Sequence, residues 1–404
     1  MNPEQQHAFD LVIKGENVFI SGSAGTGKSY TLERIVDWYK EQNIPIGVTS
    51  STGISAINIK GRTLHSYLGI GLAGGSAYSL YLKGKKYKQT VLKLQMVKLL
   101  IIDEISMISA DLLDKVSEYL QLVRNNSKQA FGGVSIVICG DLYQLPPVNG
   151  DFCFKSIVWG SMKINTCVLK TIVRQKDDVI FQQILENAKL GICTDEHLKL
   201  LQGQRTQTFG EIQPTMLYSK NINVDAINKQ HYDELTTKEY VYKTVYSSNK
   251  YSKTWAEIIN IPDVLCLKEG TQVMLTVNLC VDDGYANGTR GMITGFTQDG
   301  PIMLLKDGSQ IIIVPWIYSE DGDESDKGVW VSSIPLKLAY ALTIHKSQSS
   351  TLDAATIDIG PSIFLCGQAY TALSRVRDLK SVRVINVSKK SFKAHPDVIE
   401  YYSS

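Results

Sequence analysis

A glycine-rich loop directly after a short apolar run constrains this chain more than any other feature. Residues 17–32 read NVFISGSAGTGKSYTL, and the stretch from Gly22 to Ser29 has the spacing G-x-x-x-x-G-K-[ST]. Glycines at these positions let successive backbone N–H groups point at one anion, and the helix that follows presents its positive end. Because apolar residues precede the loop and helical periodicity follows it, the sequence predicts a strand, a phosphate-binding loop and a helix rather than an ordinary glycine turn.

The residue types in this loop suit contacts to a nucleotide. We expect Lys28 to reach the β- and γ-phosphates and the Ser29 hydroxyl to bind Mg²⁺, so ATP and Mg²⁺ are the predicted ligands. The loop alone leaves a small-molecule kinase open, because it does not specify what hydrolysis drives. The predicted nucleotide-binding residues of this stretch are Gly22, Ser23, Ala24, Gly25, Thr26, Gly27, Lys28, Ser29 and Tyr30.

Composition narrows the class of protein. The 404 residues are 44% hydrophobic and 20% charged, which is ordinary for a globular chain of two or three domains. The net charge of +2 argues against a uniformly basic nucleic-acid coat, although a DNA channel needs only local positive charge. The 7 cysteines include no C-x-x-C pair, and no His cluster has metal-ligand spacing, which favours a reduced protein without structural zinc. With no membrane-length apolar run and no signal or transit pattern, we expect an intracellular protein of the cytoplasm or nucleus.

Short apolar, β-branched runs alternate with helical patterns along the first part of the chain. Such continuous runs are typical of a parallel sheet covered on both faces, so residues 1–168 are predicted to form a doubly wound α/β domain. A stretch at about 66–95, rich in glycine, tyrosine and lysine, is predicted to be a small insertion. The strand candidates are residues 17–20, 46–49, 99–102 and 134–139.

A second α/β domain is predicted from residues 169–236 and 334–404. The block at 237–333 that splits it has a hairpin signal at Asp307-Gly308, further glycines amid apolar residues and an acidic loop. A small β-barrel inserted into the second domain is the economical interpretation. The strand candidates of this domain are residues 215–218, 340–344, 355–359 and 382–387, and the acidic loop spans 320–326.

Two further strand ends carry residues suited to nucleotide hydrolysis. The run KLLIIDE, residues 98–104, ends in Asp103, expected to hold Mg²⁺, and Glu104, expected to orient and deprotonate the attacking water. In CGDLYQLPP, residues 139–147, Gln144 can hydrogen-bond both the γ-phosphate and the lytic water. The alternatives are a solvated acidic pair and a proline-terminated turn with a surface glutamine. Their position at strand ends after a phosphate loop favours the catalytic interpretation.

These motifs belong to a longer series that occurs in one order: Glu4-Gln5, GSAGTGKS, STGISA, GRTLHS, LLIIDEISM, FGGVSIVICGDLYQLPPV, VRQKD, LYSKN, HKSQSSTLD and GQAYTALSRVRD. The series resembles the PIF-type (petite integration frequency) helicases, in the 5′-to-3′, RecD-like branch of helicase superfamily one. The resemblance implies two RecA-like P-loop domains, with a 1B insertion in the first and an SH3-like β-barrel, domain 2B, in the second. It also implies an ATP-dependent helicase that moves 5′ to 3′ on single-stranded DNA and unwinds duplex. Such a protein is a monomeric motor that acts on DNA forks, with possible protein partners in replication, repair or recombination.

The resemblance assigns further residues to the nucleotide. It implies that Gln5 reads the adenine edge, and that Arg174 and Arg375 reach from the second domain to the γ-phosphate. A planar cation supplied by the opposing domain would stabilise transition-state charge and make hydrolysis depend on closure, whereas a lone surface arginine would simply be solvated. The implied catalytic residues are Lys28, Glu104, Gln144, Arg174 and Arg375.

The predicted DNA track also follows from the resemblance. Backbone N–H groups and hydroxyls contact phosphates without reading sequence, as a translocating motor requires. His65 and His345 could instead be packed core histidines. Ser349 stands where the family usually has glycine, which puts the geometry of that loop in doubt. The implied DNA-binding residues are Thr52, Gly53, Thr63, His65, His345, Lys346, Ser347 and Thr351.

The insertion and the overall activity each leave alternatives open. The tyrosines and lysines of the insertion suit a strand-separating wedge or, equally, a solvated basic loop. The alternatives to a helicase are a nucleic-acid-stimulated translocase or remodelling ATPase without processive unwinding, an enzyme acting on RNA, and a nucleotide-gated binding module. The residues considered for the wedge are Tyr78, Tyr81, Lys83, Lys85, Lys86, Tyr87 and Lys88.

Overall fold

The computed structural model divides the chain into two compact units, Met1–Arg174 and Gln175–Ser404. Each unit has its own sheets and its own apolar core. None of the described helices is both long enough and apolar enough to cross a membrane. The described residues are 1–71, 73–85, 87–175, 177–207, 213–219, 224–280, 285, 287–319, 328–348 and 350–403.

A parallel sheet forms the centre of the first unit. Its strands are β1 (Val18–Gly22), β2 (Ile46–Ser50), β3 (Arg62–Thr63), β4 (Leu99–Asp103), β5 (Ser135–Gly140) and β6 (Asn165–Leu169). The strand order is β3-β2-β4-β5-β1-β6, and every pairing is parallel. Every residue of β1 and β4 is buried, as expected for a sheet covered on both faces.

Helices connect these strands and cover the sheet. They are α1 (Pro3–Ile13), α2 (Lys28–Glu41), α3 (Gly53–Asn58), α4 (Leu64–Leu68), α5 (Ala77–Gly84), α6 (Lys88–Met96), α7 (Ala110–Arg124) and α8 (Ile157–Ser161). Asn2 starts α1 through a reciprocal capping box with Gln5. Apolar side chains of α1 and α2, including Val12 and Ile35, pack with those of β1, β4 and β5 into one core. Helix α5 lies within the predicted insertion, and α6 ends one residue beyond it, at Met96.

The sixth strand, β6, is absent from the sequence candidates and moves the domain boundary. The residues that follow it remain with the first unit, because the N–H groups of Lys170 and Thr171 donate to Glu4 and those of Val173 and Arg174 donate to the phosphate loop. The division therefore follows Arg174, whereas the sequence placed it at 168/169.

The second unit contains one parallel sheet and three antiparallel sheets among its described residues. Its strands are β7 (Thr215–Tyr218), β8 (Glu239–Lys243), β9 (Val245–Tyr246), β10 (Val264–Lys268), β11 (Gln272–Leu275), β12 (Arg290–Phe296), β13 (Pro301–Leu305), β14 (Gln310–Ile312), β15 (Trp316–Ser319), β16 (Trp330–Ser333), β17 (Leu336–Leu338), β18 (Ala341–Thr343), β19 (Ala355–Ile359) and β20 (Val382–Val387). The parallel sheet has the order β18-β7-β19-β20. The antiparallel sheets have the orders β14-β13-β12-β11-β17, β15-β16-β9 and β10-β8.

The helices of the second unit are α9 (Val179–Lys189), α10 (Asp195–Gly203), α11 (Val224–Asp233), α12 (Ser252–Ile258), α13 (Ile344–Ser347), α14 (Gln368–Leu373) and α15 (Pro396–Ser403). The strand candidates at 215–218, 355–359 and 382–387 coincide with β7, β19 and β20. Together with the first unit, these elements establish an α/β fold with parallel sheets.

The antiparallel strands have a separate apolar core built from residues such as Leu267, Val273, Ile293 and Met303. The predicted hairpin is present, because β13 and β14 pair in antiparallel around Asp307-Gly308. Strand β17 also pairs with β11, although it lies beyond residue 333, where the sequence ended this block. The antiparallel region therefore extends past the predicted boundary. The acidic loop at 320–326 lies outside the described residues.

Candidate active site

The phosphate loop, Gly22–Ser29, joins β1 to α2 and depends on its glycines. Gly25 and Gly27 have φ angles of 89° and 84°, in the left-handed region that side chains disfavour. A Cβ added at Gly22 would lie 2.7 Å from the Leu169 carbonyl oxygen, and one at Gly27 would lie 2.5 Å from Nε2 of Gln5. The loop thus needs glycine both for its turns and for its close contacts, and its backbone N–H groups lead directly into the N-terminus of α2.

Hydrogen bonds inside the loop hold its polar side chains. The Lys28 ammonium donates to the carbonyl oxygens of Gly22 at 2.7 Å and Ser23 at 3.1 Å. The Thr26 hydroxyl donates to the same Ser23 oxygen at 2.9 Å. A phosphate bound here would offer Lys28 anionic acceptors in place of the neutral carbonyls. An ammonium forms stronger hydrogen bonds to anionic oxygens than to neutral ones. Tyr30 follows the loop as a half-exposed ring, with the Arg34 guanidinium 5.6 Å from its centroid.

Gln5 lies beneath the loop and connects it to the start of α1. Its Nε2 donates to the Thr26 carbonyl at 3.4 Å, and its Oε1 accepts from the Asn2 N–H at 2.9 Å. The side chain is 5% exposed. Both ends of the amide therefore have protein partners, so any contact with adenine would be made in addition to them.

Asp103 and Glu104 lie at the carboxyl end of β4. In the sheet, β5 lies between β4 and β1, the strand that leads into the phosphate loop. Asp103 is buried, and its Oδ2 accepts from the Ser55 hydroxyl at 3.4 Å. Burial first, and then the negative charge of Glu104, raise the pKa of Asp103 to about 7. A divalent cation beside this carboxylate would relieve both effects. Glu104 has a φ of 53°, an uncommon left-handed conformation for a residue with a side chain.

Gln144 follows β5, the strand between β4 and β1 in the sheet. Its Nε2 lies 3.5 Å from Oδ2 of the buried Asp141. Its Oε1 is buried and has no hydrogen-bond partner among the described residues. A buried acceptor without a donor costs about 1–3 kcal/mol, which a water molecule or a protonated ligand group would recover. This oxygen therefore suits contact with a lytic water.

These groups fit a nucleotide that carries magnesium. The loop has backbone N–H donors and the Lys28 cation for phosphates, and Ser29 and Asp103 have the hard oxygen atoms that would suit Mg²⁺. The described residues contain no group of three or more His, Cys, Asp or Glu side chains able to hold a metal ion.

The two arginines implied for catalysis lie in different units. Arg174 ends the first unit, and its N–H and that of Val173 donate to the Gly25 carbonyl at 3.1 and 2.8 Å. The resemblance assigned Arg174 to the second domain, whereas in the structure it is the last residue of the first unit. Arg375 is 2% exposed in the second unit; its Nε donates to the Thr371 carbonyl at 2.9 Å and an Nη to the Ser374 hydroxyl at 2.8 Å.

Two of the implied DNA contacts in the first unit cap short helices. The Thr52 hydroxyl accepts from the Ser55 N–H and starts α3, in which Gly53 is the first residue. The Thr63 hydroxyl accepts in the same way from Ser66 and starts α4. Burial lowers the pKa of the nearby His65. The loops are thus fixed by their own threonines.

The implied contacts in the second unit differ in exposure. Lys346 is exposed and Thr351 half-exposed. His345 is half-buried, and burial lowers its pKa. Ser347 is fully buried, with its hydroxyl donating to the Ile344 carbonyl at 2.8 Å. Ser349 lies outside the described residues.

Comparison with known proteins identifies the family. The PIF1-like helicase model matches residues 1–196, and the model for the DNA helicase Pif1 2B domain matches residues 259–296. The ATP-dependent DNA helicase PIF1 of Homo sapiens is 35% identical, with 100% of this chain and 64% of the human protein aligned. The ATP-dependent DNA helicase Pif1 of Bdellovibrio bacteriovorus is 34% identical, with 100% of this chain and 91% of that protein aligned. The chain belongs to the PIF1-like helicase family.

Solved structures of the same family agree with this fold. Bacteroides sp Pif1 in complex with ADP-AlF4 aligns with the PIF1-like chain at a TM-score of 0.84 and 28% identity, covering 100% of this chain and 96% of that one. Bacteroides Pif1 bound to ssDNA aligns at 0.71 and 29% identity, with the same coverage. The resemblance inferred from the motifs is thereby confirmed. The chain spans 64% of the length of the human relative.

The structure also brings residues to the site that the motifs did not assign. Ser55 donates to Asp103, and the buried Cys139 thiol of β5 hydrogen-bonds to the same carboxyl group. Glu4 accepts from two backbone N–H groups after β6. Ser55 and Glu4 lie inside quoted motifs of the PIF1-like series, so their positions were visible, but their partners are distant in sequence.

Proposed function

We propose that this chain is an ATP-dependent DNA helicase that translocates 5′ to 3′ on single-stranded DNA and unwinds duplex. The observation that carries the proposal is the alignment of three neighbouring strand ends in a PIF1-like chain. The phosphate loop follows β1, Gln144 follows β5, and the Asp103-Glu104 pair ends β4. The carboxyl edge of a parallel sheet is where α/β proteins bind ligands.

ATP hydrolysis would use each of these groups in one step. Lys28 and the loop N–H groups bind the phosphates, and Gln5 contacts the adenine edge. Glu104 orients and deprotonates the attacking water, and the unpartnered Oε1 of Gln144 accepts from that water. Ser29 and Asp103 would hold Mg²⁺, which would supply positive charge against the negative charge that develops on the phosphates.

Arg375 would make hydrolysis depend on both α/β domains, while Arg174 would act from the unit that carries the phosphate loop. Arg174 is tied by its backbone to Gly25 of the phosphate loop, which supports a role beside the nucleotide. Arg375 lies in the second unit, so it would supply transition-state charge only when nucleotide brings the two RecA-like domains together. This arrangement would couple turnover to movement.

The DNA track would combine hydroxyls, backbone groups and local positive charge. In the second unit Lys346 is exposed. Burial of Lys337, and then the positive charge of Lys346, lower the pKa of Lys337 to about 8. Because the two lysine side chains repel each other electrostatically, a phosphate bound nearby would be favourable. This supports the region as a contact with the DNA strand. The solved structure of Bacteroides Pif1 bound to ssDNA further supports single-stranded DNA as the partner. The direction of movement rests on the family resemblance.

The insertion and the antiparallel block would act on the duplex and complete the DNA track. Tyr78 and Tyr87 are 59% and 66% exposed, which suits stacking on bases at a fork. The alternative is a solvated basic surface, since these tyrosines and lysines lie on or next to α5 and α6; Lys86 lies outside the described residues. We propose that the antiparallel strands form the SH3-like barrel of domain 2B. The match of residues 259–296 to the Pif1 2B domain supports this assignment.

Unwinding of tailed duplexes tests the proposal. The purified chain should separate a duplex with a 5′ single-stranded tail in the presence of ATP and Mg²⁺, and should leave a 3′-tailed or blunt duplex intact. Lys28→Ala should abolish both ATPase and unwinding. ATPase stimulated by single strands without strand separation would favour a translocase, and stimulation by RNA alone would favour an RNA enzyme.

A further inference from the structure

The segment after β6, residues 170–174, is held to the first unit by four backbone N–H groups. Those of Lys170 and Thr171 donate to Oε2 of Glu4 at 2.8 and 3.3 Å. Those of Val173 and Arg174 donate to the carbonyl oxygen of Gly25 at 2.8 and 3.1 Å. We call residues 170–174 the linker segment, because the second unit begins immediately after it.

Glu4 is not needed to satisfy these N–H groups. Lys170 and Thr171 are exposed, so water could accept from their backbone in any of several conformations. A carboxylate that accepts from both selects one conformation, with charge-assisted bonds that are stronger than those to a neutral acceptor. The effect of Glu4 is therefore to fix where the linker segment runs.

The neighbours of Glu4 tie this position to the nucleotide. Gln5, the next residue in α1, donates to the Thr26 carbonyl of the phosphate loop. Gly25, also in that loop, accepts from the far end of the linker segment. Helix α1 thus holds the beginning of the linker segment, and the phosphate loop holds its end, where Arg174 is the last residue.

We propose that Glu4 is a positioning residue for hydrolysis, which anchors the linker segment so that Arg174 leaves the phosphate loop at a fixed point. The proposal rests on the proposed ATPase function. A change in the loop on nucleotide binding would move the Gly25 carbonyl and, through its bonds to the Val173 and Arg174 N–H groups, the end of the segment next to the second unit, while Glu4 holds the other end. Without Glu4, the segment is held only by its bonds to Gly25 and by its covalent connection to β6.

Amide hydrogen exchange tests the anchor itself, without DNA or turnover. In the full chain, Glu4→Ala should speed exchange at Lys170 and Thr171 by about tenfold or more, because these N–H groups lose their acceptor. Glu4→Gln, which keeps an acceptor oxygen without charge, should give a smaller change and guards against misfolding of the alanine variant. Gln6→Ala, at an exposed position of the same helix, should leave exchange unchanged. Unchanged exchange in Glu4→Ala would overturn the proposal.

Kinetics then test whether the anchor matters to chemistry. Glu4→Ala should lower DNA-stimulated kcat by about tenfold while KM for ATP stays within about twofold, since misplacement of a catalytic group acts on turnover. Gln5→Ala should instead raise KM for ATP, and amide exchange at Lys170 and Thr171 should stay as in the wild type. Normal kcat in a Glu4→Ala protein whose linker amides exchange freely would overturn the positioning role. A wild type without DNA-stimulated turnover would instead contradict the proposed function, and the exchange result would still decide the anchor.

Discussion

At the scale of single residues, Glu104 combines an uncommon backbone conformation with a central position in the site. Its φ of 53° and ψ of 48° lie in the left-handed region, which costs about 1–2 kcal/mol for a residue that carries a Cβ. The turn begins directly after the fully buried β4, whose position the sheet fixes. Such strain is typical of functional residues, because the surrounding structure holds the side chain in a required direction.

Glu104→Gln should therefore separate nucleotide binding from hydrolysis. The amide keeps the shape and the backbone turn but cannot accept a proton from water, so turnover should fall by about 10²- to 10⁴-fold. Affinity for Mg-ADP, measured by fluorescence titration, should stay within a few-fold. Lys28→Ala is the contrasting variant, since it should lose binding as well. Normal turnover in Glu104→Gln would remove Glu104 from the catalytic role.

The proposed DNA contact near Lys337 predicts a pH dependence of DNA binding. Burial, and then the charge of Lys346, lower its pKa to about 8. Below that pH the ammonium is charged and attracts a phosphate, and above it the charge is lost, so affinity for single-stranded DNA should fall as pH rises from 7 to 9. Anisotropy titrations at constant salt should show this slope in the wild type and a reduced slope in Lys337→Met. Identical slopes would place Lys337 away from the DNA.

At the scale of elements, the turn before β12 packs against the loop that carries the implied DNA contacts. A Cβ at Gly288 would collide with the carbonyl oxygen of Thr351, and the φ of Gly288 is +98°. In the next strand, Nε of Arg290 contacts Oδ1 of Asp353 at 2.5 Å, and Arg290 is 2% exposed. The antiparallel region and the Thr351 loop therefore pack closely against each other within the second unit.

Gly288→Ala should disturb this packing. The added methyl group would collide with the backbone of Thr351, and the alanine would be strained at this positive φ. We therefore expect the free energy of unfolding to fall by about 2 kcal/mol or more, and the binding of single-stranded DNA to weaken. Gly308→Ala is the matched control: Gly308 has a φ of +85° but open space around its Cβ position. The control should lose only about 1 kcal/mol, from backbone strain. Equal losses in denaturant titrations of the two variants would show that the Thr351 contact is unimportant.

At the scale of the whole molecule, the phosphate loop and Arg375 belong to different compact units. The Arg375 guanidinium is held by carbonyl and hydroxyl oxygens of its own unit, including those of Thr371 and Ser374. These partners orient a buried cation, which a lysine cannot reproduce because it lacks the planar arrangement of donors.

Arg375→Lys should thus lower turnover while the first unit still binds nucleotide. We expect DNA-stimulated ATPase to fall by about 10³-fold, as for other arginines that act on a transferred phosphate. Mg-ADP affinity should change little. Thermal melting should accompany the assay, since Arg375 also bonds within its own unit. A stable variant with normal turnover would show that hydrolysis does not use the second unit.

Much of the site could be read from the sequence because its determinants are local. The glycines, Lys28 and Ser29 lie within one loop, and the acidic pair ends an apolar strand, so spacing alone carries the chemistry. The strands β7, β19 and β20 were found for a similar reason, since continuous apolar runs distinguish buried strands. The motif series added the family, which the comparisons confirm.

The remaining features depend on hydrogen bonds between residues far apart in the chain. β6 is a short strand at the edge of the sheet, and it pairs with β1, about 150 residues earlier, so its place in the sheet depends on that distant partner. β17 joins the antiparallel sheet because it pairs with β11. Only that pairing moves it out of the parallel-sheet domain.

By itself, the sequence determined the phosphate loop, the acidic strand end, the α/β class and the family, because each is encoded by residues close together or in a fixed order. Only the tertiary structure decided that Arg174 stays with the first unit, that Glu4 holds the linker segment and that Gly288 packs on Thr351. The physical reason is the same in each case. Every residue except proline has the same backbone N–H donor, so the residue type does not indicate which acceptor it will bond or which distant residue it will contact. Those partners are determined only when the chain folds.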